Sequence, residues 1–377
     1  MRVLRMEPLA HTLAGACLAE SGLKRLSPLA TSTLVIAANL PDVDGACYLH
    51  GADLAFAFRR GWTHGVLAMA LLPLALTAAL LALDRLLSRH HPDRPRARPR
   101  VLLGLSVLGV LSHPFLDWLN NYGIRLLMPF SDRWFYGDTL FIVDPWLWLI
   151  LGGAVMLAWT THTRGIITAA ALAAGTTAVV LAAPLVPEWA RAVWIAGLVI
   201  WALARARVGA ARRPAIALAA LALAGAYIAL MFTGSRIAER QVRALARARG
   251  WTVEQVAAMP VPAEPLRRSV IVVSPGRYLF VPVTWTAGPS PGIEPTAFER
   301  GARDPAVEAA LAAPFVRGVR GWLRFPSYEV RPLPGGGKRV IIRDARFAVG
   351  NRPGFGVIAI VDLDAALVPR PGPGLTD

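Results

Sequence analysis

Cysteine is almost missing from this chain of 377 residues: Cys17 and Cys47 are the only two. They lack the close spacing of a zinc-binding pair and the number that a disulfide framework needs. A bridge between them requires that both face an oxidising compartment. Acidic residues are also scarce beside basic ones, 24 against 40, which leaves a net charge of +16. That excess does not make a nucleic-acid binder, because no DNA- or RNA-binding module accompanies it. Many of the arginines fall instead in two loops between apolar tracts, where membrane topology and anionic lipid account for them. A removable leader is not expected either. Arg2 and Arg5 open the chain, but Glu7 and His11 interrupt the apolar stretch that follows, and no small-residue cleavage pattern is clear. What the chain has in abundance is long runs of Ala, Leu and Val up to about Thr233, followed by a mixed polar sequence.

Tracts near the roughly 20 residues needed to cross a hydrocarbon core lie at 65–87, 101–119, 140–160, 166–186 and 214–233, with a shorter one at 189–204, and predict six spans. The tracts at 9–19 and 28–40 are too short to span and suit a tilted or re-entrant helical hairpin. Arg89, Arg94, Arg96, Arg98 and Arg100 crowd one loop, and Arg205, Arg207, Arg212 and Arg213 another. An even number of crossings separates the two loops, so both lie on one side, and the positive-inside rule makes that side cytoplasmic. Parity then sends 60–64, the outer end of the helix bearing His113 and Asp117, and everything after Ser235 to the exported side. The expected fold is mainly α: a polytopic transmembrane helical bundle over 1–234, then a basic linker helix and a small β-rich extracytoplasmic domain over 235–377.

In that second region, 235–249 reads as a basic amphipathic helix with Ile237, Val242 and Leu245 on one side, lying on the headgroups. Residues 269–273, 278–285, 328–332, 339–348 and 356–361 read as strands, the third and fourth joined across the turn Pro334-Gly335-Gly336-Gly337. The region holds no cluster of His, Asp and Glu and no nucleophile motif, so it is expected to cover the site, select substrate or bind a partner. Trp285 and Trp322 either line a groove or, as is commoner for large aromatics, pack in its core.

His113 and Asp117 stand four residues apart in the apolar segment 102–119. Four residues is about one helical turn, so imidazole and carboxylate leave one face and can grip a single metal ion, or else form a hydrogen-bonded pair. Ionisable groups are costly inside a membrane segment and usually face a cavity, a partner or an ion. Pro114 frees a backbone group and bends such a helix, widening a cavity. Three further motifs fall toward the same exported face. Pro8-Leu9-Ala10-His11-Thr12 puts a histidine at the opening of an apolar helix. Asn39-Leu40-Pro41-Asp42-Val43-Asp44 offers either a solvated cap or oxygen ligands. Arg59-Arg60-Gly61-Trp62-Thr63-His64-Gly65 is either an Arg/Trp interface anchor or a site where Arg60 binds an anionic group such as phosphate and His64 ligates metal or shuttles a proton.

Nitrogen and carboxylate ligands together suit zinc first, then manganese or iron. His11, Asp42, His64, His113 and Asp117 are the candidate ligands, with Asp44 a further ligand or the general base, and Arg60 steadying negative charge. A divalent ion so held activates water for hydrolysis. Asp138 and Asp144 flank the next span, Asp144 either near the site or as an N-cap before Pro145. Asn120, Asn121 and Tyr122 either donate hydrogen bonds to a substrate or are simply the polar residues of a loop.

In this order, Leu9-Ala10-His11, Pro41-Asp42-Val43-Asp44, Arg60-Gly61-Trp62-Thr63-His64, Ser112-His113 with Asp117, and Asp138 through Asp144 with Pro145-Trp146 resemble the bacterial inner-membrane proteins of the YdjM type, described as membrane-bound metal-dependent hydrolases. The tail, with Phe315-Val316-Arg317-Gly318 and Asp344-Ala345-Arg346-Phe347, is similar to that of the family's longer members. The resemblance implies a multi-pass protein of the inner membrane, a metal site of His11, Asp42, Asp44, His64, His113 and Asp117, and hydrolysis. A more distant likeness to zinc-dependent phospholipases C, through the spacing of His113 and Asp117, ranks phosphoesters of lipid above peptides as substrates. The expected partners are therefore the bilayer and a membrane-delivered or lipid-linked phosphoester or ester, with no nucleic acid. A cation transporter and a non-enzymatic scaffold with an exported partner-binding domain are the alternatives; the absence of an inverted repeat counts against the first.

Overall fold

The structure, a computed structural model, describes residues 8–347, 356–370 and 374–375. The expectation that rests on Arg2, Arg5 and Glu7 lies outside the described residues, as does Ala348 at the end of the fourth predicted strand. Two short helices, α1 (Pro8–Glu20) and α2 (Ala30–Asn39), form the antiparallel hairpin that the two short tracts suggested. Small residues let it wedge into the bundle. A Cβ on Gly15 would stand 2.6 Å from the Leu34 carbonyl oxygen, and one on Gly109 only 2.5 Å from the Cβ of Ala37, so backbones meet as they do in membrane interfaces built from small side chains.

Among the described residues, five helices are long and apolar enough to cross a membrane. After α3 (Ala52–Phe58), the described spans are α4 (Val66–His90), α5 (Pro99–Trp118), α7 (Thr163–Ala182), α8 (Glu188–Arg207) and α9 (Arg213–Ala248), with the shorter α6 (Pro145–Trp159) between α5 and α7. The expected span at 140–160 is thus cut back to 15 residues. Asp144 caps α6 by accepting hydrogen bonds from the amides of Trp146 and Leu147, and Pro145, whose ring forbids a preceding helical turn, takes the first position. At a rise of 1.5 Å per residue such a helix covers about 22 Å, less than the ~30 Å hydrocarbon core.

The two arginine-rich loops lie at one end of the bundle. Arg205 donates to the Thr160 carbonyl, and the Arg98 amide donates to Ser27 Oγ at the turn of the α1–α2 hairpin. Cys17 is unbridged and buried, its thiol against the Ala217 carbonyl near the start of α9; Cys47 is also free. The motifs carrying His11, Asp42, His64 and Asp117 gather at the other end.

The amphipathic segment at 235–249 differs from expectation. It is the uninterrupted continuation of α9, and its small apolar face is covered by protein rather than resting on headgroups. Ala238, Val242 and Ala246 are fully buried, the first two in one cluster with Val256 and Ala258 of β1 (Gln255–Val261) and Val270 and Val272 of β2 (Glu264–Ser274). β1 escapes a sequence reading because Ala-Ala-Met-Pro lacks the β-branched and aromatic residues that mark strands.

β1 and β2 continue antiparallel into β3 (Arg277–Thr284), which also pairs with β4 (Gly288–Pro289) and β5 (Thr296–Glu299). A second antiparallel sheet runs β6 (Pro326–Pro332), β7 (Lys338–Asp344), β8 (Val357–Leu363) and β9 (Gly374–Leu375). Its β6–β7 hairpin turns at Pro334–Gly336, as the sequence indicates. Helix α10 (Pro305–Ala312) packs Ala306, Val307, Ala310 and Leu311 on Val340, Ile342, Ala359 and Val361. The short α11 (Arg317–Arg320) sits on α3, where the Gly318 amide donates to Asp53 Oδ1. Trp322 and Trp285 are both buried. Trp322 joins Phe347 and Ile358 of this domain to Phe56, Tyr122 and Ile142 of the helical part, so the β-rich domain is docked on the end of the bundle that carries the polar motifs.

Candidate metal centre

Four segments converge. α5 brings His113 and Asp117 on one face, one turn apart, and both are essentially inaccessible. The end of α2 runs into a tight helical segment, Leu40–His50, which carries Asp42 and Asp44 inward. The turn after α3 delivers Arg59, Arg60 and His64, all buried. α1 contributes His11 from the hairpin's other arm. Two glycines let the His64 turn pack this closely: a Cβ on Gly65 would collide with the Met128 carbonyl oxygen, and one on Gly61 would fall 2.7 Å from the Arg125 guanidinium. Arg60 sits at φ 51°, a left-handed conformation uncommon outside glycine, with its amide held by Asp44 Oδ2 at 2.9 Å and its carbonyl accepting from the Arg125 amide.

One ligand atom from each of Asp42, His64, His113 and Asp117 lies within 4.8 Å of all the others. His64 Nε2 is 3.1 Å from His113 Nε2 and 3.2 Å from Asp117 Oδ2. His113 Nε2 is 3.5 Å from Asp117 Oδ2, and Asp42 Oδ1 stands 3.7 Å from His113 and 3.9 Å from His64. Local hydrogen bonds fix both tautomers. His113 Nδ1 lies 2.7 Å from the Ala38 carbonyl, which can only accept, so Nδ1 carries the proton and Nε2 its lone pair. His64 Nδ1 faces Asp44 Oδ2 at 3.4 Å and Thr63 Oγ1 at 2.9 Å; Thr63 gives its hydroxyl proton to Asp44, leaving Nδ1–H to donate and Nε2 again bare. With both imidazoles neutral, two ring lone pairs and two carboxylate oxygens point at one another, and Asp117 Oδ2 is buried without an assigned hydrogen-bond partner.

The other expected site residues have different places. Asp44 is not one of the four; it orients His64 and the Arg60 turn, with Arg59 Nε 3.7 Å from its other oxygen. His11 also lies outside the four. Its ring stacks on His113 with centroids 3.7 Å apart, its Nε2 is 3.4 Å from Asp117 Oδ1, and its Nδ1 is buried without a partner. Arg60 Nη2 donates to Asp117 Oδ1 at 2.7 Å, while Nη1 donates to Asn120 Oδ1. Asp138 is removed from the cluster and forms a two-pronged pair with Arg324 of the β-rich domain. Asp144 caps α6, accepts from Tyr227, and lines the same cleft as His11, Arg60, Asp117 and Asn120, a space of about 20 Å³ for water centres, room for one or two waters. Asn120 holds Arg60 and the amides of Tyr122 and Gly123. Asn121 is buried with a free side-chain oxygen. The Tyr122 ring lies under Arg60 at 4.4 Å, and burial pushes its phenol up to about 12, so it stays neutral. Sequence reasoning missed Thr63 and the Ala38 carbonyl. Thr63 adjoins His64, but the Ala38 carbonyl has no side-chain signature.

The donor set fits a metal. Four ligand atoms around zinc at bonds of about 2.0–2.1 Å are about 3.3–3.4 Å apart in a tetrahedron, close to the separations among His64, His113 and Asp117, with Asp42 slightly further out.

Residues 6–190, just under half of the chain, match the family described as YdjM inner membrane protein, and this stretch holds Asp42, His64, His113 and Asp117. With its long apolar helices this is a membrane protein. No curated protein and no solved structure matches the chain.

Proposed function

We propose that this YdjM-family helical region is the catalytic part of a membrane-embedded hydrolase that holds a divalent ion, zinc first and manganese or iron next, and cleaves a phosphoester or ester delivered from the exported leaflet. The observation that carries the reading is the meeting of four acceptor atoms from Asp42, His64, His113 and Asp117 with no donor between them. A cation at its centre would satisfy such a group, and the near-tetrahedral spacing suits an ion bound by all four.

A divalent ion there would polarise the bond under attack and lower the pKa of water toward neutrality. The chain supplies the rest. Asp44 holds His64 in the tautomer that presents Nε2, as the Ala38 carbonyl does for His113, and partners of this kind fix ligand orientation. Arg60 keeps Asp117 ionised and offers a guanidinium along the cleft, where its Nε is buried without a partner, to negative charge on substrate. His11, free at Nδ1 and beside the same cleft, is placed to accept or return a proton without being a ligand. Charge supports an anionic substrate. Asp42, Asp44 and Asp117 bring three negative charges, Arg59 and Arg60 two positive ones, and a dication makes the centre net positive. The arginine loops at the other end support an exported position for this end and for the β-rich domain.

The test is elemental analysis of protein purified in lipid nanodiscs, joined to a screen of phosphoesters and phospholipids. About one ion per chain and metal-dependent turnover that His64→Ala abolishes, with the protein still folded, is the expected result. Metal without turnover, but with cation flux in sealed vesicles, would replace hydrolysis with transport. Metal-free protein would leave a scaffold.

A further inference from the structure

Among its described residues the β-rich domain contributes none of the four ligand atoms, yet it grips the loop that orients the metal centre. Arg346 is fully buried and donates to the carbonyls of Asn121 at 3.1 Å, Tyr122 at 3.3 Å and Trp322 at 2.8 Å. Its remaining bonds go to both oxygens of Asp344, which is also fully buried. The Trp322 indole N–H donates to the same Tyr122 carbonyl at 3.0 Å, and the Arg346 guanidinium stacks 4.3 Å above the Trp322 ring. From this clamp, contacts lead inward without a gap. The backbone of residues 120–123 presents Asn120 Oδ1 and the Gly123 carbonyl to Arg60 Nη1 and sets the Tyr122 ring beneath it; Arg60 then holds Asp117 Oδ1, leaving Oδ2 to face the two histidines.

We infer that the Asp344–Arg346–Trp322 clamp positions the metal centre: the β-rich domain tunes metal affinity and geometry through Arg60 and Asp117, in addition to any contact it makes with substrate. Arg suits this task because one planar fork can bridge carbonyls and a carboxylate together, which the point charge of Lys cannot. The inference rests on the proposed metal site.

The experiment replaces the native ion by cobalt(II) in the full-length protein in nanodiscs and reads both affinity and the visible spectrum, which reports coordination geometry. Arg346→Ala and the milder Trp322→Phe, which keeps an aromatic ring of smaller size and deletes the N–H donor, are compared with Arg339→Ala, which removes an outer ion pair of the same sheet to Asp362. The clamp variants are expected to bind cobalt about tenfold more weakly, at the low end of what loss of an orienting partner costs, with a changed spectrum, Arg346→Lys falling between. Arg339→Ala should match the parent in both. If Arg346→Ala does not fold, Trp322→Phe decides. Parent-like affinity and spectrum in a folded Trp322→Phe or Arg346→Ala would overturn the inference while leaving the metal site standing. A parent protein that takes up no cobalt would overturn the site itself.

Discussion

Two buried carboxylates sit near opposite ends of neighbouring spans, Asp84 in α4 and Asp117 in α5, each about 2% exposed, and their surroundings could hardly differ more. Around Asp84 the neighbours are two guanidinium groups and an amide: Arg96 Nε at 2.9 Å and the Ala97 amide at 3.3 Å donate to Oδ2, and Arg94 forms an ion pair with Oδ1 at 3.4 Å without a hydrogen bond. This is a carboxylate folded into its own arginine-rich loop, its charge cancelled on the spot. Around Asp117 one oxygen is likewise satisfied, by Arg60, but the other faces imidazole lone pairs and a second carboxylate. Burying a charge is costly unless it is paired; Asp84 has two guanidinium groups beside it, whereas Asp117 has one and turns its other oxygen toward a group that could hold a metal ion. Burial alone does not mark a site; the sign of what surrounds the buried group does.

The largest expected effect separates the two directly. His113→Ala combined with Asp117→Ala should remove stoichiometric metal, forfeiting most of a binding free energy that for tight zinc sites is of order 10 kcal/mol, while Asp84→Ala leaves metal content as in the parent; elemental analysis of the purified variants reads both. If Asp84→Ala also empties the protein of metal, the two carboxylates are not independent and the contrast fails. Next in size, Asp84→Ala removes the carboxylate that ties down the Arg94–Arg96 loop and should cost about 1–3 kcal/mol, because Arg96 is half exposed and regains water, seen as a lower thermal midpoint in nanodiscs.

The smallest effect concerns a third buried carboxylate, Asp344. It resembles Asp84 in being met by donors: although burial opposes ionisation, the Arg346 guanidinium and amide hold its carboxyl below the usual range. A depressed folded-state value adds stability above the unfolded pKa near 4, lost as pH falls toward the folded one. Parent minus Asp344→Asn stability, from denaturation at stepped pH, should therefore be positive at pH 7 and shrink below pH 4 by up to about 1.4 kcal/mol per unit. A difference independent of pH would mean the carboxylate ionises alike in both states.

Much of this was legible in the chain. Apolar length located the spans, and the four-residue spacing of His113 and Asp117 announced a shared face. The family's motifs collected Asp42 and His64 as well. Where the reading fell short, the missing information was not local. The start of α6 at Pro145 is the exception, since a proline and a cap within the chain set it. That 235–249 is covered by a sheet depends on β1, whose small residues carry no strand signal of their own. Asp84 was passed over because its partners are in the next loop, and Asn120 was read as a substrate donor because nothing near it in the chain shows Arg60.

The sequence by itself determined a bundle of apolar helices with polar residues gathered near one end, because hydropathy and helical periodicity are properties of neighbouring residues. Only the tertiary structure decided which of those residues meet. Four acceptors converge while His11 and Asp44 stand beside them, and a distant Arg346 reaches the loop behind Arg60. Such choices depend on distances between segments that no stretch of chain contains.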